Sequence, residues 1–543
     1  MNRDLAPLAN TQFDLLVIGA GIYGATLAWD AAQRGLSVAI IDRGDFGGAT
    51  SFNSLKTVHG GLRSLQRAAF SDMREFIRER RALCRIAPHL VHPLPFIVPT
   101  YRHPMRNGPL MRAVLAVNDL VAHDRNALPD PSKHLLASRV VSREECLHLN
   151  PVIDPRGVTG GAIWYDCQMY SADRVTLSFL LSAAHAGAAA ANYVEATEFL
   201  GDGTRIIGVQ ARDRLGDQRF DVRAALVVNA AGPWAWSLLD RLGARRPAAP
   251  DHGFSRAMNV ITGPVDSTHG LGGLVDGRFL FIAPWRDCAI IGTTHDPHDG
   301  GADDLTVRRR DVEAFLADAR RAFPLAGLTA DAVRLVHRGL LPAAAGPGGH
   351  TRLVKHSLIV DHRRDGLDGL MTVLGARYTT ARATAARAVD LACALLGRRA
   401  APCRTDVAPL AGGNIERFAD YERAALASAP AGITADTLQR LVRCYGTDHA
   451  ALTSLIQHAP PLGAPLSPAC PVTRAEIAHA ARHETAVHLA DAVIRRTDAG
   501  SAGHPGRDAV RAAADVMAEE LGWGRSRVDE EIDEVDRFYR IPD

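Results

Sequence analysis

Residues 13–42, which read FDLLVIGAGIYGATLAWDAAQRGLSVAIID, decide the fold of this chain. An apolar run that ends in glycines, a helix-period stretch and a second apolar run together predict a β-α-β unit. In this pattern Gly19 permits the tight turn, Gly21 lets a pyrophosphate approach the backbone, and Gly24 allows close packing of helix on strand. Asp42 ends the second strand, about twenty residues past the glycines, where an acidic residue can bind a ribose. The stretch therefore predicts a dinucleotide-binding domain.

Composition narrows the class of protein around this unit. The 543 residues suggest two to four structural units, and 47% hydrophobic with 22% charged residues is typical of a globular protein. Basic residues exceed acidic ones by only two, which gives no reason to expect a nucleic-acid partner. No apolar run is long enough to span a membrane, and the eight cysteines form no C-x-x-C pair, so we expect a cytoplasmic protein with reduced thiols. The histidines form no metal-binding motif, so no metal site is expected.

The rest of the chain extends the nucleotide domain and adds two further parts. Strand-like segments that include IIGVQARD and QRFDVRAALVVNAAG interrupt it, and the run ALVVNAAGPW returns to it with a second glycine-bearing strand end. Residues 254–300 contain further strands. A second strand end of this kind is expected when the dinucleotide is long and enclosed, as FAD is. From residue 406 onward helical patterns dominate. We therefore predict an α/β fold, in which residues 1–405 form a two-dinucleotide-binding-type FAD domain interleaved with an antiparallel substrate sheet, and residues 406–543 form a helical C-terminal cap domain.

Several motifs, taken in order, resemble those of the FAD-dependent glycerol-3-phosphate dehydrogenases. They are VIGAGIYGA, ATSFNSLKTVHGGLR, WYDCQMYSADRV, NAAGPW, IAPW followed by IIGTT, GARYTT, and the run from HETAVHLADAVIRRT to MAEELGW. The resemblance covers nearly the whole chain and implies hydride transfer from a secondary alcohol to flavin N5. The positions that it implies for FAD are Gly19, Gly21, Gly24, Asp42, Thr50, Ser51, Gly60, Gly61, Val194, Ala231, Gly232, Trp234, Gly375, Arg377, Tyr378 and Thr379.

Three residues are the catalytic candidates. Arg63 matches the family arginine in HGGLR that faces the substrate phosphate, and a guanidinium fork suits phosphate or carboxylate geometry. A structural salt bridge is the alternative for Arg63. His59 stands at the family histidine position near the flavin and could take the hydroxyl proton, or could only hydrogen-bond the loop or the flavin. Arg377 replaces the family lysine in the GARYTT turn, which keeps the charge but changes its shape.

The expected substrate pocket departs from the family pattern. Leu341 stands where a second phosphate-binding arginine is usual, and Arg338, three residues earlier, could reach the same space. Met258 is aligned with a family histidine that faces the substrate hydroxyl, and Ser64 with a tyrosine. Lys355 stands where another family arginine does. These differences predict a less polar pocket and leave open an altered anionic substrate, such as another phosphate ester, a phosphonate or a hydroxy acid.

Three function classes remain open at this point. The first is an FAD-dependent dehydrogenase or oxidase that acts on the CH–OH group of a small anionic alcohol, with quinone or oxygen as the electron acceptor. The second is a flavin-dependent amine or amino-acid oxidase, since an arginine can equally hold a carboxylate. The third is a flavin-binding protein that has lost catalysis. Peripheral contact with the inner membrane face through IRERRALCRI or LMRAVLAVNDLVAH, and a homodimer, are left open.

Overall fold

The computed structural model describes residues 1–241, 253–345, 351–399 and 401–543. Its strands are, in chain order, β1 (Gln12–Ile18), β2 (Val38–Ile41), β3 (Thr57–Val58), β4 (Val91–Tyr101), β5 (Arg139–Ser142), β6 (Val158–Met169), β7 (Ala189–Ala191), β8 (Val194–Gly201), β9 (Ile206–Asp213), β10 (Arg219–Asn229), β11 (Gly253–Thr262), β12 (Gly270–Val275), β13 (Arg278–Trp285), β14 (Cys288–His298), β15 (Val333–Ala345), β16 (Thr351–Leu353), β17 (Leu358–Asp361), β18 (Leu370–Leu374), β19 (Pro465–Ser467) and β20 (Cys470–Thr473). The helices are α1 (Ala6–Asn10), α2 (Ile22–Gln33), α3 (Phe70–Ile86), α4 (Gly108–Val121), α5 (Arg143–Leu149), α6 (Ala172–His185), α7 (Ala235–Arg241), α8 (Arg309–Ala322), α9 (Ala381–Leu395), α10 (Phe418–Ala427), α11 (Ala435–Tyr445), α12 (His449–His458), α13 (Arg474–His483), α14 (Arg507–Leu521) and α15 (Arg525–Tyr539).

The first sheet is the predicted dinucleotide-binding sheet. Its main path runs β17-β18-β10-β1-β2-β7, and β8 and β9 extend it as an antiparallel flap beside β10. β1 pairs in parallel with both β2 and β10, and β10 with β18. The α2 helix connects β1 to β2 and packs on α6 and α9, and its apolar residues share one buried core with those helices. The predicted β-α-β unit is therefore confirmed.

The second sheet is largely antiparallel and forms the predicted substrate sheet. Its strands run in the order β16-β15-β11-β14-β13-β12-β4-β6-β3, with β5 beside β6. β11 lies between β14 and β15 and pairs antiparallel with both. Strands of this sheet come from two stretches of the chain, β3–β6 and β11–β16, which alternate with strands of the first sheet, so the prediction of an inserted antiparallel sheet is confirmed. The segments IIGVQARD and QRFDVRAALVVNAAG, expected from the sequence to interrupt the nucleotide domain, instead contribute β9 and β10 to the first sheet.

Helices α10–α15 and the β19–β20 hairpin form the C-terminal part, together with a π-helical turn at Asp491–Arg496. Apolar side chains of this part, including Val493 and Ile494, share a core with Trp285 and Ile290 of the substrate sheet. The C-terminal helices are thus packed against the substrate sheet through a common apolar interior. Among the helices that the structure describes, none is long and apolar enough to cross a membrane.

Buried ion pairs fasten the C-terminal part to the nucleotide domain. Arg496 donates from its Nη1 and Nη2 atoms to the Asp45 carboxylate at 2.8 and 2.6 Å, and Arg495 Nε donates to the same group at 2.5 Å. Arg174 of α6 donates to both carboxylate oxygens of Glu484 at 2.7 Å. Removing one partner of such a buried pair typically costs about 3–5 kcal/mol, so these contacts hold the two parts in one arrangement.

Candidate active site

A cavity of about 560 Å³ opens between the two sheets. It is bordered by the carboxyl end of β1, by the loop at residues 43–55, by β11, β14 and β15 of the substrate sheet, and by the turn before α9. The predicted site residues that line it are Gly19, Gly21, Asp42, Thr50, Ser51, His59, Val194, Ala231, Gly232, Trp234, Leu341, Gly375, Arg377, Tyr378 and Thr379. The structure therefore gathers residues spread over more than 350 positions of the sequence around one space.

The first glycine turn leaves no room for side chains. Gly19 has φ +100, and a Cβ atom there would lie 2.7 Å from the carbonyl oxygen of Ala230, the residue after β10. A Cβ atom on Gly24 would lie 1.8 Å from the carbonyl oxygen of Gly19, so Gly24 sets the close approach of α2 to the turn. The backbone is consequently bare where a pyrophosphate would approach the amino end of α2.

Asp42 and Ser51 hold the backbone around this turn. The Asp42 carboxylate accepts hydrogen bonds from the backbone N–H groups of Ala20 and Gly44 at 2.7 and 2.9 Å. Burial raises the pKa of Asp42 to about 6, and these two N–H groups oppose the rise. Ser51 Oγ accepts from the backbone N–H of Ile22 at 2.9 Å. A carboxylate in this place is suited to accept hydrogen bonds from ribose hydroxyls.

Tyr23 fixes the second glycine turn, before α9. Its hydroxyl accepts hydrogen bonds from the backbone N–H groups of Ala376 and Arg377 at 3.2 and 3.1 Å, and donates to the carbonyl of Arg377 at 2.7 Å. A Cβ atom on Gly375 would lie 2.1 Å from the Tyr23 ring. The tyrosine of the first motif thus shapes the turn that presents Arg377. Nearby, the Tyr378 hydroxyl donates to the carbonyl of Ala172 at 2.9 Å.

Arg43 and Trp234 mark the end of the cavity beside Asp42. The guanidinium of Arg43 lies 4.7 Å from the centre of the Trp234 ring, and both side chains contact Asp303. Trp234 Nε1 donates to Asp303 Oδ1 at 2.7 Å, and Arg43 Nη2 donates to the same oxygen at 2.6 Å. A stacked arginine and indole form a flat, partly cationic surface there.

The buried carboxylate of Asp166 fixes the loop that carries His59 and the two glycines after it. Asp166 Oδ1 accepts from the backbone N–H of Gly60 at 2.5 Å and from Arg80 Nη1 at 2.6 Å. A Cβ atom on Gly60 would lie 2.3 Å from Arg80, and Gly61 has φ +78, so both glycines are required by this arrangement. Burial lowers the pKa of His59 to about 4; Asp166 opposes the shift, and Arg80 is among the cations that reinforce it. The imidazole is therefore neutral near pH 7.

Three arginines lie near one another: the charges of Arg63 and Arg377 reach His59, and the charge of Arg67 reaches both of these arginines. The carboxylates of Asp72 and Glu75 act on Arg377 in the opposite sense. Arg63 and Arg67 lie on the 3₁₀ turn Leu62–Arg67, and Arg377 lies before α9. In the described parts of the chain, none of the three forms an ion pair. The guanidinium of Arg63 lies 5.7 Å from the centre of the Phe279 ring, and that of Arg377 lies 4.9 Å from the centre of the Phe76 ring. Burial lowers the pKa of Arg63, and the charges of Arg67 and Arg377 lower it further. Such a group of cations is suited to an anion.

Met258, Arg338 and Lys355 lie elsewhere than the sequence suggested. Met258 is buried in the apolar core behind the substrate sheet, and Arg338 is its cross-strand partner on β15, outside the cavity lining. Lys355 is exposed and also lies outside the lining. The cavity faces of β11 and β15 instead present Ala257, Asn259, Gly339 and Leu341. Met258 therefore does not lie where the sequence placed it, because its side chain is in the apolar core and Asn259 lines the cavity, whereas Leu341 does line it.

The cavity residues that the sequence did not predict include Tyr23, Asn259, His295 and Arg495. Strand alternation in FSRAMNVI and IIGTTHD signals Asn259 and His295, because residues two apart share a face of the sheet. Tyr23 lies inside the glycine motif, where its side chain was not considered. Arg495 comes from the C-terminal part and is held at the cavity by its ion pair with Asp45. No local sequence pattern predicts this ion pair.

The glycine turns, the buried acidic group and the cavity that opens between two sheets are the features of an FAD-dependent oxidoreductase. The FAD-dependent oxidoreductase family model matches residues 14–391, and that of the C-terminal domain of alpha-glycerophosphate oxidase matches residues 403–528. The chain is 30% identical to glycerol-3-phosphate dehydrogenase of a Synechocystis species over all of this chain and 99% of that protein. It is 31% identical to glycerol-3-phosphate dehydrogenase 2 of Mycobacterium bovis, over 97% of this chain and 88% of that protein.

A solved structure agrees with these relatives. Glycerol-3-phosphate dehydrogenase from Bacillus halodurans, complexed with FAD, superimposes with a TM-score of 0.78 at 25% identity, covering 99% of this chain and 96% of that one. The chain belongs to the FAD-dependent glycerol-3-phosphate dehydrogenase family. It is therefore an oxidoreductase that uses FAD and acts on a CH–OH donor, and the amine-oxidase alternative is not supported.

Proposed function

We propose that this enzyme oxidises glycerol 3-phosphate, and that Arg63, Arg67 and Arg377 hold the phosphate while His59 takes the hydroxyl proton. The observation that carries the proposal is the arginine group, in which Arg377 lines the cavity while Arg63 and Arg67 are exposed and lie outside its lining; among the described residues none of the three forms an ion pair. A phosphate monoester carries about −1.5 to −2 charges at pH 7, which suits several guanidinium groups. The relatives named glycerol-3-phosphate dehydrogenase, which align over 97% or more of this chain, support the same substrate.

The arginines orient the substrate, and His59 accepts the proton of its hydroxyl group. Arg377 lines the cavity, and the charges of Arg63 and Arg377 both reach His59, as their effect on its pKa shows. Because His59 is neutral near pH 7, an unprotonated ring nitrogen can accept the proton of a hydroxyl group. A bound dianion would offset the nearby cations and raise the pKa of His59 toward the working pH. FAD, when bound, supplies the acceptor for the hydride, which leaves the carbon that carries this hydroxyl group.

Steady-state kinetics test the substrate. We expect efficient turnover of glycerol 3-phosphate by the wild-type enzyme, and for Arg63→Met a KM raised about ten- to a hundredfold, because a charge-assisted hydrogen bond is worth about 1.5–3 kcal/mol. Arg212→Met is the matched control, since Arg212 is exposed on β9 and paired with Asp217. Turnover only of a phosphonate or a hydroxy acid would show instead that Leu341 marks an altered substrate.

For the electron acceptor, we propose a quinone reached by peripheral contact with an anionic bilayer. The α4 helix buries Leu115, whereas Leu120 is 73% exposed and Met105, just before the helix, is 70% exposed. Arg102 and Arg112, in the same segment of the chain, are also exposed. Apolar side chains flanked by cations are suited to the interface of an anionic membrane. IRERRALCRI contributes less, because most of its residues are buried.

Sedimentation with vesicles of anionic phospholipid tests this contact. We expect the wild-type enzyme to sediment with the vesicles and Leu120→Glu to remain in the supernatant. Leu325→Glu is the matched control, because Leu325 is 54% exposed on another part of the surface. Equal sedimentation of all three proteins, or of none, would refute the proposed surface, and fast oxygen consumption without vesicle binding would indicate oxygen as the acceptor.

A further inference from the structure

His295 is a cavity residue with no assigned task. It lies on β14, opposite Ala257 of β11, and its side chain lines the same cavity as His59. Its Nδ1 atom is buried and has no hydrogen-bond partner in the described structure. A buried polar atom without a partner is costly, so it calls for an explanation such as a bound group. His295 therefore presents a polar ring to the space that a substrate would enter.

His295 lies close enough to Arg63 for the two side chains to interact electrostatically. The charges of Arg63 and Arg278 reach His295, and with burial they lower its pKa to about 4. Arg63 contacts the ring of Phe279, on the strand beside β14. His295 and Arg63 thus face the same region of the site from different elements, one from the substrate sheet and the other from the HGGLR turn.

The same region lacks the cation that the family pattern leads one to expect. Leu341 lines the cavity on β15. Ala257 pairs with His295 on one side and with Gly339 on the other, so His295 and Gly339 stand about 10 Å apart across two strand spacings. Leu341 follows Gly339 by two residues and shares its face. Side chains of histidine and arginine at these two places could reach one anion between them.

We propose that His295 is a substrate ligand that binds the phosphate together with Arg63 and stands in for the cation missing at Leu341. This inference rests on the proposed function and names a further residue of that site. A ring N–H of His295 donates to a phosphate oxygen, and the bound dianion favours the protonated ring that Arg63 and Arg278 disfavour in the free site.

Kinetics of four variants of the FAD-loaded enzyme test the proposal. We expect His295→Ala to raise the KM for glycerol 3-phosphate about ten- to a hundredfold, with kcat changed less than threefold, and His295→Gln to recover part of the loss. The control is His298→Ala, because His298 lies on the same strand but outside the cavity lining. In the His295→Ala background, Leu341→Arg should restore the KM to within a few fold of the wild-type value.

Binding of inorganic phosphate to the same proteins, measured by calorimetry, separates this proposal from the proposed function. Weaker phosphate binding by both His295→Ala and Arg63→Met supports the inference. Weaker binding by Arg63→Met alone, or a His295→Ala variant that loses kcat while its KM is unchanged, overturns it and leaves the phosphate site intact. No effect of either substitution overturns both. FAD content and far-UV circular dichroism establish that each variant is folded.

Discussion

Replacing Asp166 by asparagine should loosen the turn that carries His59 and Arg63. The carboxylate is buried and accepts three hydrogen bonds, from Gly60 N–H, from Arg80 Nη1 and from Trp164 Nε1, the last at 3.0 Å. An asparagine keeps the volume and can place its oxygen toward Gly60 and Arg80. Its NH₂ group then faces the indole N–H, so one donor loses its acceptor and Arg80 loses its counter-charge.

The magnitude follows from these losses. Breaking a buried ion pair by removing one charge costs about 3–5 kcal/mol, and an unsatisfied buried donor costs about 1–3 kcal/mol. Arg80 keeps its hydrogen bond to the carbonyl of Tyr165 at 3.1 Å, which softens the loss. We therefore expect Asp166→Asn to lower the free energy of unfolding by about 3–4 kcal/mol. Because Asp166 raises the pKa of His59, its neutralisation should also move that pKa further down.

Urea unfolding followed by tryptophan fluorescence measures the change, with FAD at the same excess for each protein, because a bound cofactor adds to apparent stability. Asp217→Asn is the control, since it removes a carboxylate from an exposed pair with Arg212 and should cost less than about 0.5 kcal/mol. An Asp166→Asn protein within 1 kcal/mol of the wild type, with an unchanged kcat/KM, would refute the role given to this carboxylate.

Three further predictions concern the cofactor and the proton. Gly375→Ala should lose FAD during purification, because its new Cβ would collide with the Tyr23 ring, whereas Gly301→Ala, with no atom near the added group, should keep FAD. FAD affinity of the apoprotein should fall as the pH drops through about 6, where the Asp42 carboxylate takes up a proton, and Asp42→Asn should show no such change. His59→Gln should lower kcat about 10²- to 10⁴-fold with little change in KM. Because the second pKa of a phosphate ester is about 6, kcat/KM is calculated on the concentration of the dianionic substrate. Calculated in this way, the wild-type kcat/KM should fall only as the pH drops toward about 4, where His59 becomes protonated, and a fall near pH 6.5 that is absent from His59→Gln would contradict the assigned pKa.

The nucleotide-binding part of the site could be predicted from sequence because its signals are local. Gly19, Gly24 and Asp42 lie within one β-α-β unit, and the sterics or hydrogen bonds of that unit require each of them. The order of the later motifs then indicated a second turn at Gly375 and an inserted sheet. Both parts of the fold prediction rest on short-range patterns that one chain can display.

The substrate side was harder because strand parity decides it. A slip of one residue in alignment reverses the face of a strand, and this is how Met258 was assigned a place that Asn259 occupies. The same parity explains why Arg338 lies outside the cavity lining: it is on the strand face opposite Leu341. Arg495 lies 450 positions from its partner Asp45, so only the folded chain could bring it to the cavity.

The most direct measurement is anaerobic reduction of the bound FAD, followed by its visible absorbance, with glycerol 3-phosphate beside a panel of phosphonates, hydroxy acids and amino acids. We predict rapid bleaching by glycerol 3-phosphate in the wild-type enzyme and bleaching that needs far higher concentrations in Arg63→Met. Bleaching by another compound of the panel, with none by glycerol 3-phosphate, would contradict the assignment of the arginine group to this substrate's phosphate.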